Sequence, residues 1–254
     1  MKTRLLTSMV LAILVGLLMG CKDDEVAGTG QLKMYLVDAP ASYDSVVVVV
    51  KEVSVHSEAQ GWIVVNNTTR SFDLLQLTNG ARAVLGEVTL EAGTYTQVRL
   101  LLETGSYLVV NGVRHDLTVS SGFETGVKLT HQFRIDANFV YELYLDFDAN
   151  RSVILTGAGE YKMKPTIRVT AVNTTGTISG TVLPPTHLAV VTAISGTDTA
   201  TTYASAVTGS FKLMALPSAS YTVRIQSTTG LRDTTLTGVN VVAGSDTFLG
   251  TFVW

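Results

Sequence analysis

The stretch Ser45-Val46-Val47-Val48-Val49-Val50-Lys51-Glu52-Val53-Ser54-Val55-His56 decides the fold. Five consecutive β-branched valines lose side-chain freedom against the preceding turn of a helix, so helix is disfavoured. An unbroken apolar run of this length suits a strand covered on both faces. From Lys51 the pattern alternates, with Val53 and Val55 on one side. Upstream, Leu32, Met34 and Leu36 alternate with Lys33, Tyr35 and Val37 until Asp38-Ala39-Pro40, where proline cannot donate to a ladder. Downstream, Gly61–Val65 reads as the return strand of a hairpin, with a turn at Asn66-Asn67. Phe72–Leu77 fits either a short strand or a single helical turn.

The same reading extends outward. Val84–Leu90 and Thr94–Leu102 bracket Glu91-Ala92-Gly93, which reads as a hairpin turn with glycine where positive φ is needed. Tyr107–Val110 and Val113–Val119 bracket Asn111-Gly112, a strong hairpin signal. Gly126–Ile135 and Phe139–Phe147 continue the alternation. Tyr161–Val172 closes the unit, with Pro165 expected at a bulge or sheet edge. Composition shifts near Asn173, after which threonine dominates and seven short strands follow to Trp254. The expected fold is all-β, two β-sandwich-like domains in tandem at 31–172 and 177–254.

The N-terminus is of a different kind. Lys2 and Arg4 precede an apolar run from Leu5 to Leu18, then Leu18-Met19-Gly20-Cys21 and the charged Lys22-Asp23-Asp24-Glu25. The run of ~14 residues is shorter than the roughly 20 of a membrane span, and the order is that of a secretory signal. Cys21 is the chain's only cysteine. This segment resembles a bacterial lipoprotein signal. The resemblance implies cleavage after residue 20, acylation of Cys21 (palmitate among the chains) and a permanent membrane anchor. Residues 21–30 then form the anchor and a flexible tether. The lysine and acids after the cysteine resemble the surface-export signal of some Gram-negative lipoproteins. That implies the outer membrane and the cell surface.

Two further resemblances follow. Residues Gly176-Thr177-Ile178-Ser179-Gly180-Thr181-Val182, Gly209-Ser210-Phe211-Lys212-Leu213 and Leu216–Val223 look like the carboxypeptidase-regulatory-like, transthyretin-like sandwich. Such domains imply a structural spacer. Ala219 stands where that family has glycine, which predicts another conformation or strain there. Residues 30–172 are similar to an uncharacterised family of bacterial lipoprotein domains. That likeness is carried by Leu36-Val37-Asp38-Ala39-Pro40, Gly61-Trp62, Ala92–Leu100 and Tyr161–Pro165, and it supplies a fold and an address but no reaction. Gly93-Thr94-Tyr95-Thr96 and Ala219-Ser220-Tyr221-Thr222 echo each other, which reads as shared corner chemistry.

The formal net charge is −3 and only 15% of residues are charged. Nucleic acid binding needs a basic footprint, so it is excluded. Asp146, Asp148 and Asn150 offer three oxygen side chains in a short span and are the calcium candidates, without EF-hand spacing. The alternation places Glu142, Tyr144, Asp146 and Asp148 on one strand face, read as solvated. The histidines His56, His115, His131 and His187 share no metal-ligand spacing. There is no phosphate loop, dinucleotide fingerprint or nucleophile elbow. No metal and no cofactor are expected, and the protein is read as not an enzyme. A hydrolase using Asp146, Asp148 or His131 is a distant alternative. Trp62 and Tyr144 are the aromatic candidates for ligand contact. Asp44-Ser45, Asp198-Thr199 and Asp233-Thr234 resemble bacterial O-glycosylation sites. The resulting expectation is a lipid-anchored surface module that binds a glycan or a protein, the alternative being a subunit of a surface assembly.

Overall fold

A computed structural model describes residues 28–119, 125–230 and 233–254. It is an all-β structure of two sandwich-like units. Among the described residues fourteen strands build the first: β1 (Thr29–Asp38), β2 (Ser45–Ser57), β3 (Gly61–Asn66), β4 (Arg70–Asp73), β5 (Ala83–Glu91), β6 (Gly93–Leu102) and β7 (Tyr107–Val110), then β8 (Val113–Asp116), β9 (Thr118–Val119), β10 (Val127–Ile135), β11 (Val140–Phe147), β12 (Val153–Leu155), β13 (Tyr161–Met163) and β14 (Ile167–Ala171). A one-turn helix α1 (Ala149–Ser152) follows β11. The second unit holds β15 (Thr175–Leu183), β16 (Ala189–Ser195), β17 (Asp198–Tyr203), β18 (Ser210–Pro217), β19 (Ser220–Ser227), β20 (Thr234–Asn240) and β21 (Asp246–Val253).

In the first unit a sheet ordered β14-β11-β1-β5 faces a sheet ordered β10-β6-β2-β7-β8, with β3 and β4 also paired to β2. The valine run lies where it was expected. Val46, Val48 and Val50 enter the core shared by the two sheets. Val47 and Val49, on the other face, are buried too, and the loop at Gly105 lies over Val49. β1 and β11 pair in parallel, a long-range contact that no local pattern announces. In the second unit β18-β15-β21 packs on β17-β16-β19-β20 around a separate core.

Local expectations change at several points. Glu91-Ala92-Gly93 is not a hairpin turn: β5 pairs with β1 and β6 with β2, so the chain turns a corner from one sheet to the other. The Tyr95 hydroxyl donates to the Glu91 carbonyl across that corner at 3.0 Å. The echo in the second unit does the same job, since the Tyr221 hydroxyl donates to the Pro217 carbonyl at 3.0 Å where the chain passes from β18 to β19. Second, Ala219 carries no positive φ. The left-handed residue nearby is Ala215, at φ +56 within β18, where the pairing with β15 is irregular. Third, Phe72–Leu77 is both a strand end and a helical turn: Asp73 closes β4, and its carboxylate accepts the Leu75 amide to start a 3-10 turn. Asn111-Gly112 is the hairpin expected, both residues at positive φ and β7 paired to β8.

Candidate binding site

On the outer face of the β10-β6-β2 sheet, β2 presents Glu52, Ser54 and His56, the residues between its inward valines. Register fixes what meets them. Trp62 of β3 stands opposite His56, with ring centroids 5.1 Å apart in an edge-on arrangement. Arg99 of β6 stands opposite Ser54, and Lys128 of β10 stands opposite Arg99. The Arg99 guanidinium lies 4.5 Å over the indole of Trp62, and the Lys128 ammonium lies 6.0 Å from it. Arg99 also donates to Ser54 Oγ and to Glu52 Oε1, each at 3.0 Å. A half-buried tryptophan thus sits among two cations, one acid and an imidazole, fixed on four paired strands.

The surface continues into a groove. A β-bulge in β6 turns Thr96 outward, and its hydroxyl meets His56 Nδ1 at 3.1 Å. Beyond Thr96 a groove of ≈ 440 Å³ runs between the β2–β3 turn and the β5–β6 corner. Glu58, Gln60, Glu91, Gln132 and Arg134 line it, a size within the range of small-ligand clefts. Tyr95, which lines it, stacks on Phe133, and Phe133 stacks on Tyr141, with successive centroids 5.3 Å apart.

The other candidate residues gather at the opposite end of β1, where the two units meet. Tyr144 is buried, not solvated. It packs with Tyr35 against Ala215 and Met214 of the second unit, and its hydroxyl accepts from Arg82 at 3.1 Å. The alternation placed it on the correct face, but that face is covered by the second sandwich. Asp146 is paired with Arg168 at 2.8 Å; burial nevertheless raises its pKa, outweighing the arginine. Asp148 caps α1, accepting the Arg151 amide at 2.9 Å, and Asn150 is exposed on that helix. The three calcium candidates thus have separate engagements: Asp146 is ion-paired, Asp148 caps a helix and Asn150 is exposed on that helix. Among the described residues no three His, Cys, Asp or Glu side chains are placed to hold a metal ion. The acid that sequence reasoning missed is Asp38, buried beside Asp146 and Asp148 with its carboxyl pKa raised by burial to about 8.

With this geometry in view, residues 29–165 match a family described as Domain of unknown function (DUF4382). The match covers more than half of the chain. The protein belongs to the DUF4382 family. No curated protein matches the chain. Among solved structures it is similar to a leucine-rich repeat protein from Bacteroides thetaiotaomicron, at 14% identity over 90% of this chain and 26% of that one, TM-score 0.20. It is similar to the Bacillus anthracis TIE protein, at 11% identity over 89% and 34%, TM-score 0.23. It is also similar to GBS52, the minor pilin of Streptococcus agalactiae, at 12% identity over 88% and 95%, TM-score 0.21. The chain spans about a quarter and a third of the length of the first two.

Within the DUF4382 domain the histidines occupy separate neighbourhoods. His56 meets Trp62, His115 tilts against Tyr161 and His131 stacks on Phe133. Burial lowers the pKa of His131. His187, in the second unit, approaches Thr229. His131 does not share a site with Asp146 or Asp148. Asp44 accepts the Gly112 amide at 2.8 Å and so holds the β7–β8 hairpin. Cys21 and the tether up to residue 27 lie outside the described residues. Arg99 and Lys128 escaped the sequence reading because only strand register brings them to Trp62; the period-two outward position of each was the signal available.

Proposed function

We propose that this DUF4382 protein is a lipid-anchored component of the bacterial envelope, facing the cell surface, that binds a ligand without catalysis. The ligand is a glycan or a protein segment, and it docks on the Trp62 surface and the adjoining groove. One observation carries the reading: a half-buried tryptophan flanked by Arg99 and Lys128 is joined through His56 and Thr96 to a polar groove of ≈ 440 Å³. Aromatic and arginine anchors supply most of the energy at such surfaces, and acid, amide and guanidinium side chains in the groove suit hydroxyl-rich partners. The anchor rests on the Cys21 signal pattern. The second unit, on its resemblance to carboxypeptidase-regulatory-like sandwiches, serves as a spacer.

The test is a glycan and peptide array probed with the intact protein and with Trp62→Ala. Loss of the anchor is expected to weaken a captured ligand by about 30-fold or more, the scale of a binding hot spot. Binding unchanged by Trp62→Ala and by Arg99→Ala together would remove the surface from consideration. The address is tested separately by protease treatment of whole cells: the protein is cut while a periplasmic marker survives if it faces outward.

A further inference from the structure

The two sandwiches line a small cavity of ≈ 50 Å³ where they meet, with Asp38, Asp146 and Asp148 on one wall and Thr202 and Lys212 on the other. Asp38 is 8% exposed and Thr202 2%. The Asp38 Oδ1 accepts the Ala149 amide at 2.9 Å, while its Oδ2 has no partner, and neither has the Thr202 hydroxyl. Two buried polar groups, one from each unit, are therefore left unsatisfied on the same space, which is large enough for water.

The charges facing Asp38 decide its state. Arg168 is committed to Asp146 at 2.8 Å and to the Ala215 carbonyl at 3.3 Å. Arg151 is paired with Asp148 at 3.4 Å and Lys212 with Asp246 at 3.5 Å. Each cation around the cavity already has an acid, and Asp38 has two carboxylates as neighbours. An ionised Asp38 would be a buried, uncompensated anion, which the interior disfavours strongly.

We propose that Asp38 is a proton-held latch between the two sandwiches: its protonated carboxyl donates into the cavity toward Thr202, and loss of that proton loosens the junction. Burial with Asp146 and Asp148 nearby holds this carboxyl at about 8. In an opened, hydrated junction it returns to roughly 4. Closing therefore binds a proton between those limits. The latch is fully set below about 4, weakens as pH rises through the window, and stops changing above about 8. One proton gives at most about a tenfold change per pH unit.

The reporter is the Lys212 amide, which donates to Asn79 Oδ1 across the junction at 2.6 Å. Its hydrogen-exchange protection, corrected for intrinsic rate, is expected to fall several-fold to tenfold per pH unit from 5 to 8 in the intact protein. Asp38→Asn, which mimics the protonated acid, should make that profile flat. Carbon-13 titration of the Asp38 carboxyl in the unsubstituted protein, with a midpoint well above 6, supports the same reading without any variant. A midpoint near 4, or Lys212 protection independent of pH in the unsubstituted protein, would overturn it. So would a slope that calcium abolishes and chelator restores, because the cavity would then hold a metal ion and not a proton.

Discussion

Tyr95 and Tyr221 show how one side chain fixes a turn between sheets. Both rings are buried, and each hydroxyl reaches the carbonyl four residues earlier. The bond closes the corner on itself, so the following strand leaves for the facing sheet. Tyr95→Phe and Tyr221→Phe keep the ring and remove the donor. Each is expected to cost about 1–2 kcal/mol, read as a lower urea midpoint at unchanged slope. Asp246 gives a second residue-scale prediction, opposite in sign to that of Asp38. Burial alone would raise its pKa, but hydrogen bonds from Ser179 and Thr177 and the charge of Lys212 bring it below the ordinary value. Its contribution is therefore present above the usual carboxylate range of about 4 and lost as pH falls through the folded value. Asp246→Asn should lower the melting temperature of the protein at pH 7 and have a smaller effect at a pH below the folded value, where the carboxylate is already protonated. An equal drop at both pH values would show that packing, not charge, is what the residue supplies.

At the scale of elements, two similar turns had different outcomes. Asn111-Gly112 and Glu91-Ala92-Gly93 both carry the turn chemistry of a hairpin, and only the first is one. Alternation says which side chains share a face, but not whether the next strand pairs with the last or crosses to the other sheet. For the same reason most strands were legible, including the doubly buried valines of β2 and all seven strands after Asn173, whereas Tyr161–Val172 reads as one strand and is two, β13 and β14, in different sheets. The parallel pairs β1–β11 and β15–β21 were not, because they join distant segments. Trp62 was legible as an aromatic beside a turn, whereas its cations arrive by register from β6 and β10. Asp38 read as a strand terminator, and Tyr144 as solvated, because the sequence does not say what covers a sheet. Glycines sharpen the element view. Gly112 lies at φ +74 with open space around a would-be Cβ, so Gly112→Ala meets only backbone strain, about 1 kcal/mol. Gly209 lies at φ +73 with the Val182 carbonyl oxygen 2.0 Å from that position. Gly209→Ala must move backbone as well and is expected to cost more than about 3 kcal/mol. Urea unfolding of the two variants side by side checks the contrast, and equal costs would mean that the β15–β18 contact is looser than the structure has it.

For the whole molecule, the question is whether two sandwiches behave as one body. β18 is an edge strand of its sheet, and an unpaired edge invites foreign strands. Here Asn79 of the first unit covers part of it: its side-chain amide donates to the Ser210 carbonyl at 3.2 Å and accepts the Lys212 amide at 2.6 Å, acting as a short stand-in for a neighbouring strand. Arg168 adds a bond to the Ala215 carbonyl, and Tyr35 and Tyr144 pack beside it. These contacts couple unfolding of one unit to that of the other, since losing either strips partners from both. Asn79 itself sits at φ +54, so Asn79→Gly removes the amide while relieving backbone strain, which makes it a cleaner probe than alanine. The loss of two hydrogen bonds should weaken the junction by about 1–3 kcal/mol. Combined with Arg168→Met, it should turn a single calorimetric transition of the intact protein into two, with the second sandwich melting on its own. The freed β18 edge should then favour self-association, visible as a rise in mass with concentration in light scattering. A double variant that still melts in one unchanged transition and stays monomeric would show that apolar contact at Tyr35, Tyr144 and Ala215 alone joins the units.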